Sequence, residues 1–186
     1  LKIDNPINFV GFNFRMTELS AAIGLEQLKK ITRYVDNREK IANTLTSNLS
    51  GIDLLKTPKV RNDCRHVYYV WAPKFNYESC KIPRHLIAKA LKAEGLPIDE
   101  GYVQPLYLLP AFTKRIAIGR DGWPFTLTDR KYEKGLCPIA EELYENSLIE
   151  FCICSYKLDS NDLNKSIDVF LKVFENISQI RESFKD

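Results

Sequence analysis

Apolar positions along the chain recur with two different periods, and their order predicts the architecture. Leu19, Ile23, Gln27 and Lys30 lie at helical spacing, and Ala21, Ala22, Leu25 and Leu28 widen that face. A polar run through Arg33, Asp36, Asn37, Arg38, Glu39 and Lys40 follows, yet Ile31, Val35, Ile41 and Leu45 keep the helical spacing. This predicts one long helix, straight or bent, from residue 17 to about 49. Thr17 is its N-cap, because its hydroxyl can accept a first-turn N–H. Gly51 stops it.

Ile52–Leu55 is short and apolar, and Cys64–Trp71 is rich in aromatic and β-branched residues. Both read as strands. Pro83 opens a helix through Glu94, with Ile87, Ala90 and Leu91 on one face and Gly95 behind it. A short strand is expected near Ile98–Val103. Residues 96–138 carry prolines at 97, 105, 110, 124 and 138 and glycines at 101, 119, 122 and 135. They are expected to be mostly loop, and so long a loop inside a compact domain is often functional. A short helix around Ile139–Asn146 and a strand over Leu148–Cys154 follow. Ser160 caps a last helix to about residue 180, with Leu163, Ile167, Phe170, Leu171, Phe174 and Ile177 as its apolar stripe. The whole order describes an α+β domain with a small, mostly antiparallel sheet and flanking helices.

Composition narrows the function classes. The 186 residues suffice for one domain, and 45% hydrophobic with 27% charged residues is ordinary globular usage. Twenty-seven basic against 24 acidic residues give a net charge of +3, too balanced for a nucleic-acid binder. No apolar run approaches the roughly 18 residues of a membrane helix. Five cysteines without CxxC spacing fit reduced thiols in a cytoplasmic protein better than a disulfide framework. Only two histidines occur. His66 shares a strand face with Cys64, but no further ligands stand at metal-site spacing, so no metal is expected. Cys152 and Cys154 share a face of their strand, as buried thiols do. The glycines form no phosphate loop or dinucleotide fingerprint.

One string stands apart: Gly11-Phe12-Asn13-Phe14-Arg15-Met16-Thr17-Glu18-Leu19. It sets an amide and a guanidinium just before a helix N-terminus. It can be read as an anion site, built from backbone N–H groups and Arg15. It can also be read as a capped helix with an exposed arginine, the reading that the helix-start rules alone favour.

Continued through Ser20-Ala21-Ala22-Ile23-Gly24-Leu25-Glu26-Gln27-Leu28, the string closely resembles a signature of the DegT–StrS sugar aminotransferases. Asn37-Arg38, His66–Trp71, Glu94-Gly95-Leu96, Tyr102…Pro105-Leu106-Tyr107 and the final strand and helix resemble later family segments in order. The resemblance implies the small C-terminal domain of the aspartate-aminotransferase (fold type I) architecture. Residues 1–16 would be the tail of the large cofactor domain or a linker. Residues 17–186 would be the small domain with the inter-domain helix.

It further implies pyridoxal 5'-phosphate, a homodimer, and amino transfer from an amino acid, glutamate or glutamine, to a nucleotide-linked keto-sugar or a keto-cyclitol. The catalytic lysine would lie upstream of this chain, which alone is expected to be inactive. Asn13 and Arg15 would be cofactor-binding residues, Asn13 reaching the phosphate held by the neighbouring subunit. Tyr102, Gln104, Tyr107 and His66 would bind substrate. Family members often carry a histidine where Gly101 or Tyr107 stands. The run Gly122-Trp123-Pro124-Phe125 with Tyr132–Glu142 resembles members that aminate cyclitol ketones. A non-catalytic, stand-alone interaction or regulatory module with the same fold is the alternative reading.

Overall fold

The computed structural model describes residues 14–153 and 157–182. The chain divides into two compact units, Leu1–Asp36 and Asn37–Asp186. Helix α1 (Glu18–Leu49) begins in the first and ends in the second. The Ser20 N–H donates to Thr17 Oγ1 at 3.2 Å, so Thr17 caps the helix as its hydroxyl predicts. In the first unit Met16, Leu19, Ile23, Leu25, Leu28 and Ile31 are each more than half exposed.

The second unit holds the core. The last turns of α1 contribute Ile41, Ala42, Leu45 and Leu49, spaced to fill one helix face. Strands β1 (Leu55–Lys56) and β2 (Lys74–Phe75) pair antiparallel, with Leu55 opposite Phe75. Strands β3 (Ile98–Glu100) and β4 (Ile149–Phe151) also pair antiparallel, with Ile98 opposite Phe151. Isolated bridges join the pairs, Trp71 to Phe151 and Lys74 to Leu148. The spatial order is β1-β2-β4-β3. Helix α2 (Tyr77–Cys80) follows β2.

Helix α3 (Arg84–Ala93) packs Ile87, Ala88 and Leu91 inward. Its end is a Schellman turn. Leu96 N–H reaches Leu91 O and Gly95 N–H reaches Lys92 O, both at 3.0 Å, with Gly95 at φ +97°. Helix α6 (Ser160–Glu175) buries Leu163, Ile167, Phe170 and Phe174, much of the stripe its spacing predicts. Trp71 is completely buried; its ring meets Phe170 edge-on at 5.7 Å and its Nε1 donates to Thr46 Oγ1 at 3.0 Å.

Four expectations change. The expected strand over Cys64–Trp71 pairs only at Trp71. Tyr68 has φ +46° and gives its N–H to the His66 ring at 2.9 Å, which takes that donor out of any ladder. The aromatic richness of the segment serves the burial of Tyr68 and Trp71 one by one, and the regular pairing moves to Lys74–Phe75. His66 and Cys64 therefore share no strand face. Asp159, one residue before Ser160, is the N-cap of α6. Its carboxylate accepts the Asp162 N–H at 2.9 Å while Asp162 reaches back to Asp159 N. The strand expected over Leu148–Cys154 is regular only over Ile149–Phe151 among the described residues, so Cys152 lies beyond it, and all three of its positions are buried. Cys154 lies outside the described residues.

Helix α7 (Ile177–Glu182) ends the described chain. The long loop contains a short helical turn at Leu106–Leu108, helix α4 (Pro110–Thr113) and a turn at Phe125–Leu127. Helix α5 (Pro138–Glu142) runs into a π-helical turn, Leu143–Ser147.

Trp71→Ala is expected to cost about 3–5 kcal/mol, the range for truncating a fully packed aromatic. Urea unfolding measures it, and a midpoint within error of wild type would contradict this core.

Candidate functional site

The loop expected to face substrate is held at both ends by named contacts. At its start, Gly101 is buried with φ +70°, and its N–H donates to Leu148 O at 3.0 Å. A Cβ placed there would lie 2.3 Å from the Tyr144 carbonyl oxygen. Any side chain at residue 101, histidine included, would displace that backbone. Arg84 supports the same corner. Its Nη1 donates to Leu143 O, Tyr144 O and Leu148 O at 3.3, 2.8 and 3.1 Å, and its Nε to Glu100 at 3.4 Å. One guanidinium thus gathers three carbonyls at the end of the π-turn, a feature often found near functional sites.

At the other end lies Glu141, only 5% exposed. Its carboxylate accepts the Gly135 N–H through both oxygens, at 2.8 and 2.9 Å, and the Cys137 N–H at 3.4 Å. It also accepts the Tyr107 hydroxyl. Those donors offset the cost of burying a carboxylate. The Tyr107 hydroxyl holds the Glu141 carboxyl below its usual range; burial opposes this, and the Gly135 and Cys137 amides and Lys134 assist. Tyr107 itself is pushed up to about 12, by burial first and by its bond to Glu141 second. Nearby, Lys134 pairs with Glu145 at 2.6 Å.

Between the anchors the loop is open. Tyr102 is half exposed at φ +64°, and its ring meets Tyr69 edge-on at 6.2 Å. Gln104 is exposed. His66 is exposed, stacked on Tyr68 at 4.1 Å, in the loop that also carries Tyr69. That loop is tied to α1 by an ion pair between Arg65 and Glu39. The structure therefore brings the His66 loop to Tyr102 through Tyr69, and sets Tyr107 against Glu141. Arg15 is exposed two residues before the Thr17 cap. Asn13 lies outside the described residues. Arg84 and Glu141 carry no flag in the sequence beyond a glutamate three residues after Pro138.

Every described lysine is exposed, and among the described residues no buried side-chain nitrogen or oxygen is unpaired. Among these residues no group of three or more His, Cys, Asp or Glu could hold a metal, and no helix is long and apolar enough to cross a membrane.

The model of the DegT/DnrJ/EryC1/StrS aminotransferase family matches residues 3–149, well over half of the chain, and the protein belongs to that family. GDP-perosamine synthase of Caulobacter vibrioides is 29% identical over 104 residues, covering 55% of this chain and 28% of that protein. An aminotransferase structure from Psychrobacter cryohalolentis matches 92% of this chain and 42% of its own, with a TM-score of 0.71 at 22% identity. A Streptococcus pneumoniae structure in a PLP form matches 88% and 37%, with a TM-score of 0.61 at 21% identity. The fold is that of part of a fold type I aminotransferase, and the chain spans about a third of the length of the curated relatives it matches.

Two outcomes are expected. Gly101→Ala should cost at least about 1–3 kcal/mol through its left-handed backbone alone. Gly51→Ala, where an added methyl meets nothing within 4 Å, is its control; equal urea midpoints for the two would contradict the close approach to Tyr144. Second, a carboxyl lowered on folding stabilises above its unfolded value, about 4.3, and that contribution fades as pH falls through the folded value. Amide protection at Gly135 should therefore persist as pH falls past the ordinary glutamate value, about 4.3, and be lost only at more acid pH as Glu141 protonates; protection already lost at about pH 5 would contradict the assignment.

Proposed function

We propose that this chain is the C-terminal part of a pyridoxal-phosphate-dependent aminotransferase. It moves an amino group from an amino acid, glutamate or glutamine, to the ketone of a nucleotide-linked sugar or a cyclitol. The observation that carries this reading is the family match across residues 3–149. In this reading the catalytic lysine lies outside this chain, which spans about a third of the length of its curated relatives.

In this reading residues 1–16 belong to the cofactor domain or linker, and residues 17–186 form the small domain with the inter-domain helix. Asn13 and Arg15 face the cofactor phosphate of the neighbouring subunit in a homodimer. An amide and a guanidinium beside the positive end of α1 suit a phosphate. The exposed apolar positions of the first unit support cover by another protein surface. Tyr102, Gln104 and His66 contribute hydrogen-bonding groups to a polyhydroxylated substrate, with Tyr107 at the end of the same loop. A cytoplasmic setting is consistent with reduced thiols at Cys64, Cys80 and Cys137.

The test is amino transfer by the full-length protein supplied with pyridoxal phosphate and glutamate or glutamine. Nucleotide-linked keto-sugars and keto-cyclitols are offered as acceptors, and product is read by mass spectrometry. Aminated product from one acceptor class, and none from the isolated chain, is expected. A full-length protein that transfers no amine to either class would favour a non-catalytic module.

A further inference from the structure

We propose that Glu141 is a positioning residue for the ketone substrate, acting through Tyr107 as a latch on the 101–109 loop. This rests on the reading of that loop as the substrate edge. The loop is clamped twice. Gly101 is locked against the π-turn through Leu148 and Tyr144, with Arg84 behind it. Tyr107 is fastened to Glu141. Residues 102–106 hang between these points, with Tyr102, Val103 and Leu106 at least half exposed.

The chemistry of the second clamp is unusual for a structural contact. A carboxylate is expensive to bury, and an apolar side chain would fill the same space at lower cost. Glu141 gains from its place only by collecting donors from two separate loops. Gly135 and Cys137 supply amides from one, and Tyr107 supplies its hydroxyl from the other. The Cys137 N–H also donates to the Tyr107 oxygen at 3.3 Å, which closes a ring of contacts around that hydroxyl. The result is a fixed point for a chain segment that carries little packing of its own. With Tyr107 committed to Glu141, the groups free to meet a substrate are those on residues 102–106. Burial keeps the Tyr107 hydroxyl protonated, and therefore a donor, throughout the working range of pH.

The experiment compares Tyr107→Phe and Glu141→Gln with wild type in the full-length protein. Two readouts are taken: hydrogen exchange across residues 101–109, and KM for the ketone acceptor against the rate of the amino-donor half-reaction. Loss of one charge-assisted hydrogen bond predicts about tenfold faster exchange in the loop and about a tenfold rise in acceptor KM. The donor half-reaction should stay within about twofold, because the latch acts on the acceptor side alone. Tyr107→Phe keeps the ring and its packing, so it answers even where Glu141→Gln fails to fold. Unchanged exchange in Tyr107→Phe would overturn the latch. Faster exchange with unchanged acceptor KM would overturn its role in substrate positioning, as would an equal loss in both half-reactions. A wild-type protein that aminates no ketone would sink the aminotransferase reading and the substrate role with it, while exchange would still decide whether the latch exists.

Discussion

The backbone exchange between Trp71 and Phe151 holds the second unit together. Each residue donates its N–H to the other's carbonyl at 2.9 Å, and Ile149 N–H adds a bond to Pro73 O at 3.1 Å. These few bonds join two strand pairs that are each only two or three residues long. Pairs so short are not stable alone and need a shared layer and a packed face. Trp71 supplies both. Its backbone makes the joint, and its buried ring fills the space between Thr46 on α1 and Phe170 on α6. The loops that carry His66 and Tyr102, and helix α5 with Glu141, are all hung from this layer, so their placement depends on it.

Helices were the legible part of the sequence. The Thr17 cap, the inward face of α3 closed by Gly95, and the apolar stripe of α6 all follow from local spacing, because a helix satisfies its own backbone. Strands were less legible. Cys64–Trp71 has strand composition, but the His66 ring takes the Tyr68 N–H and the chain turns at positive φ. A side chain competing for a backbone donor leaves no mark on hydrophobic period. The cap of α6 moved by one residue for a related reason. Asp159 and Asp162 can cap each other reciprocally, which Ser160 cannot match.

The candidate loop was legible as a loop and as a resemblance, but not as a mechanism. Prolines and glycines announced residues 96–138, and the Tyr102…Tyr107 segment pointed to a substrate edge. What fixes that edge comes from far along the chain: Arg84 before it, Tyr144 and Glu141 after it. Nothing in the composition of residue 141 separates a buried carboxylate from the many exposed ones. Gly101 is similar. Its need for glycine comes from a carbonyl 43 positions later, as the 2.3 Å approach of Tyr144 shows.

In the proposed function the 101–109 loop meets the ketone substrate. A crystal structure of the full-length protein with a keto-sugar or keto-cyclitol bound tests it directly. Substrate hydroxyls are expected within hydrogen-bond reach of the Tyr102–Gln104 segment, with Tyr107 still bonded to Glu141. A substrate bound elsewhere, with this loop making no contact, would contradict it.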